Sequence, residues 1–290
     1  MYHRVARTER YRWWKPLVEL VVFVLLLCGL WVSAIPALYK LVGPAENGAP
    51  GIIKLGLTIA CALPAAFVAA RLVGRPWGSL FSVDGRFRGK WFAICVAIAV
   101  ANIVVSVGIS AAAEALGHPF GARHGAWVGW EQFAPLAITV VIVIPLQASA
   151  EEFAFRGTLL QAVGAWVRPP WFAIVLSSVL FGLAHGLSLA GFAAITTFGI
   201  AAAWLTIRTG GLEAAIALHV MNNVTLFLFD AATGRADRWV TELNTEIEWV
   251  GTAVDVAMTV LYAAVIAKLH SRRVLALGDR PVEPLARLGG

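Results

Sequence analysis

The stretch Ser149-Ala150-Glu151-Glu152-Phe153-Ala154-Phe155-Arg156-Gly157 sets two adjacent carboxylates and an arginine inside a run that is otherwise apolar from about Phe133 to Trp166. An ionisable side chain at the centre of a bilayer-spanning helix costs roughly 2.5–3.5 kcal/mol on insertion scales, so such residues are read first as functional. On a helix, Glu152 and Arg156 are four apart and share a face, where an internal ion pair offsets part of the cost of both charges. Glu151 is then the carboxylate left without a partner, turned about 100° away from Glu152. A buried carboxylate with no cation beside it is suited to accept a proton near neutral pH. The blander alternative is a polar cluster that only fixes helix packing.

Two later apolar runs carry the other polar residues that composition does not explain. One holds Phe181-Gly182-Leu183-Ala184-His185, and the next but one holds His219-Val220-Met221-Asn222-Asn223, where His219 and Asn223 lie one turn apart on one face. A carboxylate, two histidines and an amide on three separate helices can activate water and stabilise an oxyanion. Glu151, His185 and His219 are also ligand types for a divalent metal such as zinc with an open position. There is no HExxH, so a zincin site on one helix is excluded as a motif. Nor is there a GxSxG, and Ser149, Ser177, Ser178 and Ser188 have no spacing that marks a nucleophile. Glu213 and Asp255 fall near the ends of apolar runs and read as interfacial.

The elements that must position these residues follow from composition. Of 290 residues, 59% are hydrophobic and 14% charged, and mean hydropathy is +0.77; that is a polytopic membrane protein rather than a soluble domain. The net charge of +6 sits in short segments between apolar runs, which orients helices and excludes nucleic acid as a partner. Cys28, Cys61 and Cys95 have no CxxC spacing and read as packing residues.

The expected fold is all-α, with about eight transmembrane helices and both termini cytoplasmic. Spans are expected near 17–38, 52–73, 91–116, 133–166, 171–189, 190–207, 212–229 and 249–269. Residues 1–16 read as a basic cytoplasmic tail in which Glu19, just beyond, snorkels to the interface, and 271–290 as a flexible cytoplasmic tail. The first apolar run is too long for a signal peptide and lacks an A-x-A site. The loop 117–132 carries His118, Arg123, His124 and two tryptophans. With this topology, 18 of the 23 lysines and arginines fall on the inner face and five on the outer, the bias that orients membrane proteins. The whole chain, 1–290, is read as one integral-membrane domain with its catalytic helices in 133–230.

Taken together, Glu151-Glu152-x-x-x-Arg156, Phe181-x-x-x-His185 and His219-x-x-x-Asn223 resemble the three motifs of the CPBP family of intramembrane proteases, which contains the type II CAAX prenyl endopeptidases and bacterial bacteriocin-processing or self-immunity relatives. The resemblance covers roughly Pro135 to Phe229. It implies an intramembrane endopeptidase in which Glu151 activates water with the assistance of His185, while His219 and Asn223 hold the oxyanion. Glu152 and Arg156 are then electrostatic support, and Phe181 packs the helix that positions His185. The family is described both as metal-dependent and as using a metal-free glutamate mechanism; the shared face of His219 and Asn223 favours the latter. Implied partners are membrane-associated peptides or proteins, of CAAX-like prenylated or bacteriocin type, and the location is the bacterial plasma membrane.

Two other readings compete. An ion- or proton-coupled transporter predicts broken helices in matching halves, and no such repeat is visible. A non-catalytic immunity or scaffold protein would have no need of the intact set Glu151, His185, His219 and Asn223. One tension concerns depth: at about 1.5 Å per residue, His185 lies some 20 Å from the start of its span and His219 only about 10 Å from the start of its own.

Overall fold

Apolar runs of this length must satisfy their backbone polar groups internally, and helices do so within one segment. The computed structural model describes residues 1–44, 48–117, 125–185, 189–235 and 249–276. His118, Arg123, His124 and residues 277–290 lie outside that set. The described residues form helices α1 (Lys15–Val42), α2 (Gly48–Ala60), α3 (Ala62–Leu72), α4 (Gly78–Phe81), α5 (Gly89–Ala115), α6 (Trp130–Glu152), α7 (Leu160–Trp166), α8 (Pro170–Leu183), α9 (Leu189–Thr209), α10 (Glu213–Ala232) and α11 (Trp249–Ala276). Among them there is no strand, only an isolated bridge between Ser82 and Gly211.

Seven spans among the described residues are long and apolar enough to cross a membrane, and the protein is an integral, multi-pass membrane protein. Two of these are composite: α2 and α3 together make one, and α6 runs through a π-helical segment, Phe153–Leu159, into α7 to make another of 37 residues. The span expected over 171–189 is instead α8, only 14 residues long. Pro169 and Pro170 set its start, and it ends at Leu183 before Ala184, so His185 lies in the turn beyond rather than in the helix. The last helix, conversely, runs past Leu269 to Ala276, so the start of the expected flexible tail is helical.

Two expectations about charge are corrected, and the N-terminal segment is packed into the fold. Within residues 1–16, Tyr2–Arg4 form a 3-10 turn in which Tyr2 and His3 are fully buried. The Tyr2 hydroxyl donates to the Leu80 carbonyl, and the ring joins Leu80, Phe153, Leu160 and Leu212 in one apolar cluster. Glu19 does not snorkel; it is buried against Arg75, which also donates to Gln161 Oε1 at 2.6 Å. Glu213 is not interfacial either. It is fully buried and held by the fork of Arg88, with Nε to Oε1 at 2.9 Å and Nη2 to Oε2 at 2.6 Å. Burial pulls the Arg88 guanidinium down, but Glu213 more than offsets it and holds the group above its ordinary value. The physical reason is common to all three: the 73–88 connector folds inward and supplies Arg75, Ser79, Leu80 and Arg88 as partners that a sequence scan cannot pair.

One apolar cluster packs the middle of α6: Ile52, Val140, Val143 and Ile144 with Val224, Phe227 and Leu228 of α10; the Tyr2 cluster takes in Phe153 and Leu160, beyond the end of that helix. Small residues bring the backbones together, as in membrane helix packing generally. A Cβ on Gly199 of α9 would stand 3.0 Å from the Ser178 Cβ of α8, and one on Gly56 of α2 would overlap the Val143 side chain of α6.

Candidate active site

Glu151 and Glu152 are the last two residues before α6 widens into the π-helical segment. Such segments insert an extra residue per turn and recur at functional sites. Glu152 and Arg156 are both fully buried, with Arg156 Nη1 donating to Glu152 Oε1 at 2.8 Å. The pairing read from the i, i+4 spacing therefore survives the change of helix type. Arg156 Nη2 also donates to the Gly199 carbonyl at 3.2 Å, and its guanidinium lies 4.4 Å from the Phe181 ring centroid, a cation–π contact.

Glu152 does more than neutralise Arg156. The same Oε1 accepts from His219 Nδ1 at 2.8 Å. A carboxylate acceptor assigns the Nδ1 proton to this bond and leaves Nε2 facing the other way. Nε2 lies 3.3 Å from Glu151 Oε2, an ion-pair distance without a hydrogen bond, since that buried oxygen has no hydrogen-bond partner. The Glu151 side chain is 12% exposed against none for Glu152, so it is the carboxylate within reach of an incoming molecule.

Glu151 is also not without a partner. Gln147, one turn earlier on α6 and buried, donates Nε2–H to Glu151 Oε1 at 2.7 Å. Gln147 Oε1 accepts a long bond from Asn223 Nδ2 at 3.4 Å. Asn223 faces this cluster from α10, whereas the adjacent Asn222 is exposed.

Phe181 fills the gap between the two histidines. Its ring centroid lies 4.6 Å from that of His185 and 5.8 Å from that of His219, with Phe198 of α9 packed 5.1 Å from His219. His185 bonds through Nδ1 to the Phe181 carbonyl at 2.8 Å. Six of the seven singled-out residues, Glu151, Glu152, Arg156, Phe181, His219 and Asn223, form one connected cluster, and His185 joins it only through Phe181. Among the described residues no three His, Cys, Asp or Glu side chains converge to hold a metal, so Glu151, His185 and His219 as arranged do not fit a three-ligand set. Gln147 and Phe198 are additions that the sequence reading missed. Gln147 had a signal, an amide in an apolar helix four residues before Glu151; Phe198 had none among so many aromatics.

Residues 130–225, from the first residue of α6 to just beyond Asn223, match the family described as type II CAAX prenyl endopeptidase Rce1-like. The uncharacterized protein YyaK of Bacillus subtilis (strain 168) is 37% identical over 106 residues, which are 34% of this chain and 35% of that protein. The chain therefore spans about a third of the length of the curated relative it matches. No solved structure matches it. The matched segment, about a third of the chain, contains every residue of the cluster, and the match supports membership of the CPBP family.

Proposed function

We propose that the protein is an intramembrane endopeptidase that hydrolyses peptide bonds of membrane-associated substrates through a water activated by Glu151. The observation that carries this reading is the unpartnered Oε2 of Glu151 beside His219 Nε2. In this reading Glu152 holds the Nδ1 proton of His219, Glu151 Oε2 stands beside Nε2, and Nε2–H is the donor turned to the incoming carbonyl.

In the reaction, Glu151 Oε2 takes a proton from water as the water oxygen bonds to the scissile carbonyl carbon. The carbonyl oxygen becomes an oxyanion that accepts from His219 Nε2–H and the Asn223 amide. As the C–N bond breaks, the proton on Glu151 passes to the departing nitrogen. His185, held through Nδ1 by the Phe181 carbonyl, assists at the water. No step is routed through a metal. Substrates are membrane-tethered peptides of CAAX-like prenylated or bacteriocin type, met in a bacterial plasma membrane, with both chain termini facing the cytoplasm as the lysine and arginine distribution argues.

The test is purified protein in liposomes with a library of membrane-tethered peptides, compared with Glu151→Ala, His185→Ala and His219→Ala. Cleavage by the wild type and its loss in Glu151→Ala are expected. Absence of cleavage, or equal cleavage by all four proteins, would overturn the proposal.

A further inference from the structure

A buried side-chain amide stands between the base and the oxyanion donor of the proposed site, and both of its ends are used. Gln147 Nε2 donates to Glu151 Oε1 at 2.7 Å, and Gln147 Oε1 accepts from Asn223 Nδ2 at 3.4 Å. Glutamine O and N are told apart by the network around them. Here a carboxylate on one side and an amide donor on the other permit one orientation only, because the flipped amide would set oxygen against oxygen and N–H against N–H.

We propose that Gln147 is a positioning residue that sets the distance and direction between the water-activating carboxylate of Glu151 and the oxyanion-holding amide of Asn223. Three features of the geometry carry this. First, the bond to Glu151 uses Oε1, so Oε2 is turned toward His219 Nε2 with its lone pairs free for water; without the tether the carboxylate rotates about its last bond and either oxygen can present. Second, one proton of Asn223 Nδ2 is spent on Gln147, so the other is aimed rather than free to turn. Third, Gln147 is on α6 and Asn223 on α10, so the amide bridges the two helices that carry the base and the oxyanion donors. Helix packing alone leaves each of these groups with its own rotamer freedom, and a misplacement of about 1 Å can cost about a hundredfold in rate.

This inference rests on the proposed hydrolysis, so one arm of its test does not use turnover. Gln147→Met keeps the unbranched length and removes both bonds; Gln147→Glu keeps the shape and replaces the donor facing Glu151 with an acid. Both are prepared alongside Asn223→Ala and the double variant Gln147→Met/Asn223→Ala, with rates normalised to folded protein. Loss of a hydrogen bond to a charged group corresponds to about ten- to a hundredfold, and the loss is expected in kcat with KM unchanged in both Gln147 variants. In the double variant the loss is expected to be smaller than the product of the single losses, because each single change already frees the shared amide. In the second arm, infrared spectra of each protein minus its Glu151→Gln counterpart isolate the Glu151 carboxylate band, which is expected to shift in Gln147→Met. An unmoved band overturns the assignment whether or not the protein cleaves peptides. A kcat equal to wild type, a change confined to KM, or multiplicative losses overturn it as well. A band that shifts in Gln147→Met while the wild type cleaves nothing supports the tether and overturns the hydrolytic reading instead.

Discussion

Glu152 Oε1 lies 2.8 Å from His219 Nδ1 and 2.8 Å from Arg156 Nη1, so one oxygen joins the arginine that neutralises it to the histidine that faces Glu151. The two adjacent carboxylates of the first motif thereby take different work. Glu152 orients and balances, while Glu151 keeps an oxygen free.

Breaking that pair on one side leaves a buried uncompensated charge, which costs about 3–5 kcal/mol. Glu152→Gln and Arg156→Met alone are therefore expected to lower the thermal midpoint in detergent strongly. The double variant Glu152→Gln/Arg156→Met recovers part of that stability but not the activity, since His219 still lacks its carboxylate acceptor. Unfolding curves and peptide cleavage on the same preparations check both halves.

Gly199 lets α9 approach α8 closely enough for its carbonyl to reach Arg156. Gly199→Val forces the branched side chain against Ser178 and is expected to cost about 1–3 kcal/mol, the range for overpacking a tight interface. The midpoint falls, and the Arg156 contact to the carbonyl is lost with it; a midpoint equal to wild type would show that the helices are not in close contact there.

The N-terminal turn is part of the core. Truncating a large buried aromatic side chain costs about 3–5 kcal/mol, and losing one neutral hydrogen bond about 1 kcal/mol. Tyr2→Ala is accordingly expected to lower the thermal midpoint several times more than Tyr2→Phe, read from unfolding in detergent.

His3 adds a pH dependence. Burial holds its imidazole below the ordinary value of 6.5, outweighing the bond to the Arg168 carbonyl. A depressed base is neutral when docked and takes up a proton more readily when undocked. Its contribution is present in full above about pH 6.5 and is lost as the pH falls below it, where the undocked state binds more protons. Thermal midpoints of wild type minus His3→Gln, measured from pH 8 to about pH 5, are expected to decline toward acid; a flat difference contradicts the docked neutral imidazole.

The proposed reaction uses no metal step. Cleavage is expected to persist in a titration with 1,10-phenanthroline, and loss of activity restored by added zinc would contradict the metal-free reading.

Helices, their order and the three motif positions were legible because apolar runs and i, i+4 spacing are local signals. The Glu152–Arg156 pair is an instance: both partners lie one turn apart in the chain. What was not legible came from partners far apart in sequence. Glu19 needs Arg75, Glu213 needs Arg88, and Tyr2 needs Leu80, each supplied by a connector that reads only as a basic loop. The π-helical segment at Phe153–Leu159 and the aromatic ring separating His185 from His219 are products of packing between helices and leave no periodicity to read. Gln147 was overlooked for a different reason: an amide carries no charge and draws little attention beside two carboxylates.

The central claim is that Glu151 delivers water to a peptide bond. Its most direct measurement is cleavage of a membrane-tethered peptide in H₂¹⁸O by wild type and Glu151→Gln, with products read by mass spectrometry. The account predicts one ¹⁸O in the new carboxylate from the wild type and a rate lower by about 10²- to 10⁴-fold in the variant, the range for removing a general base. Glu151→Gln cleaving at the wild-type rate would contradict it.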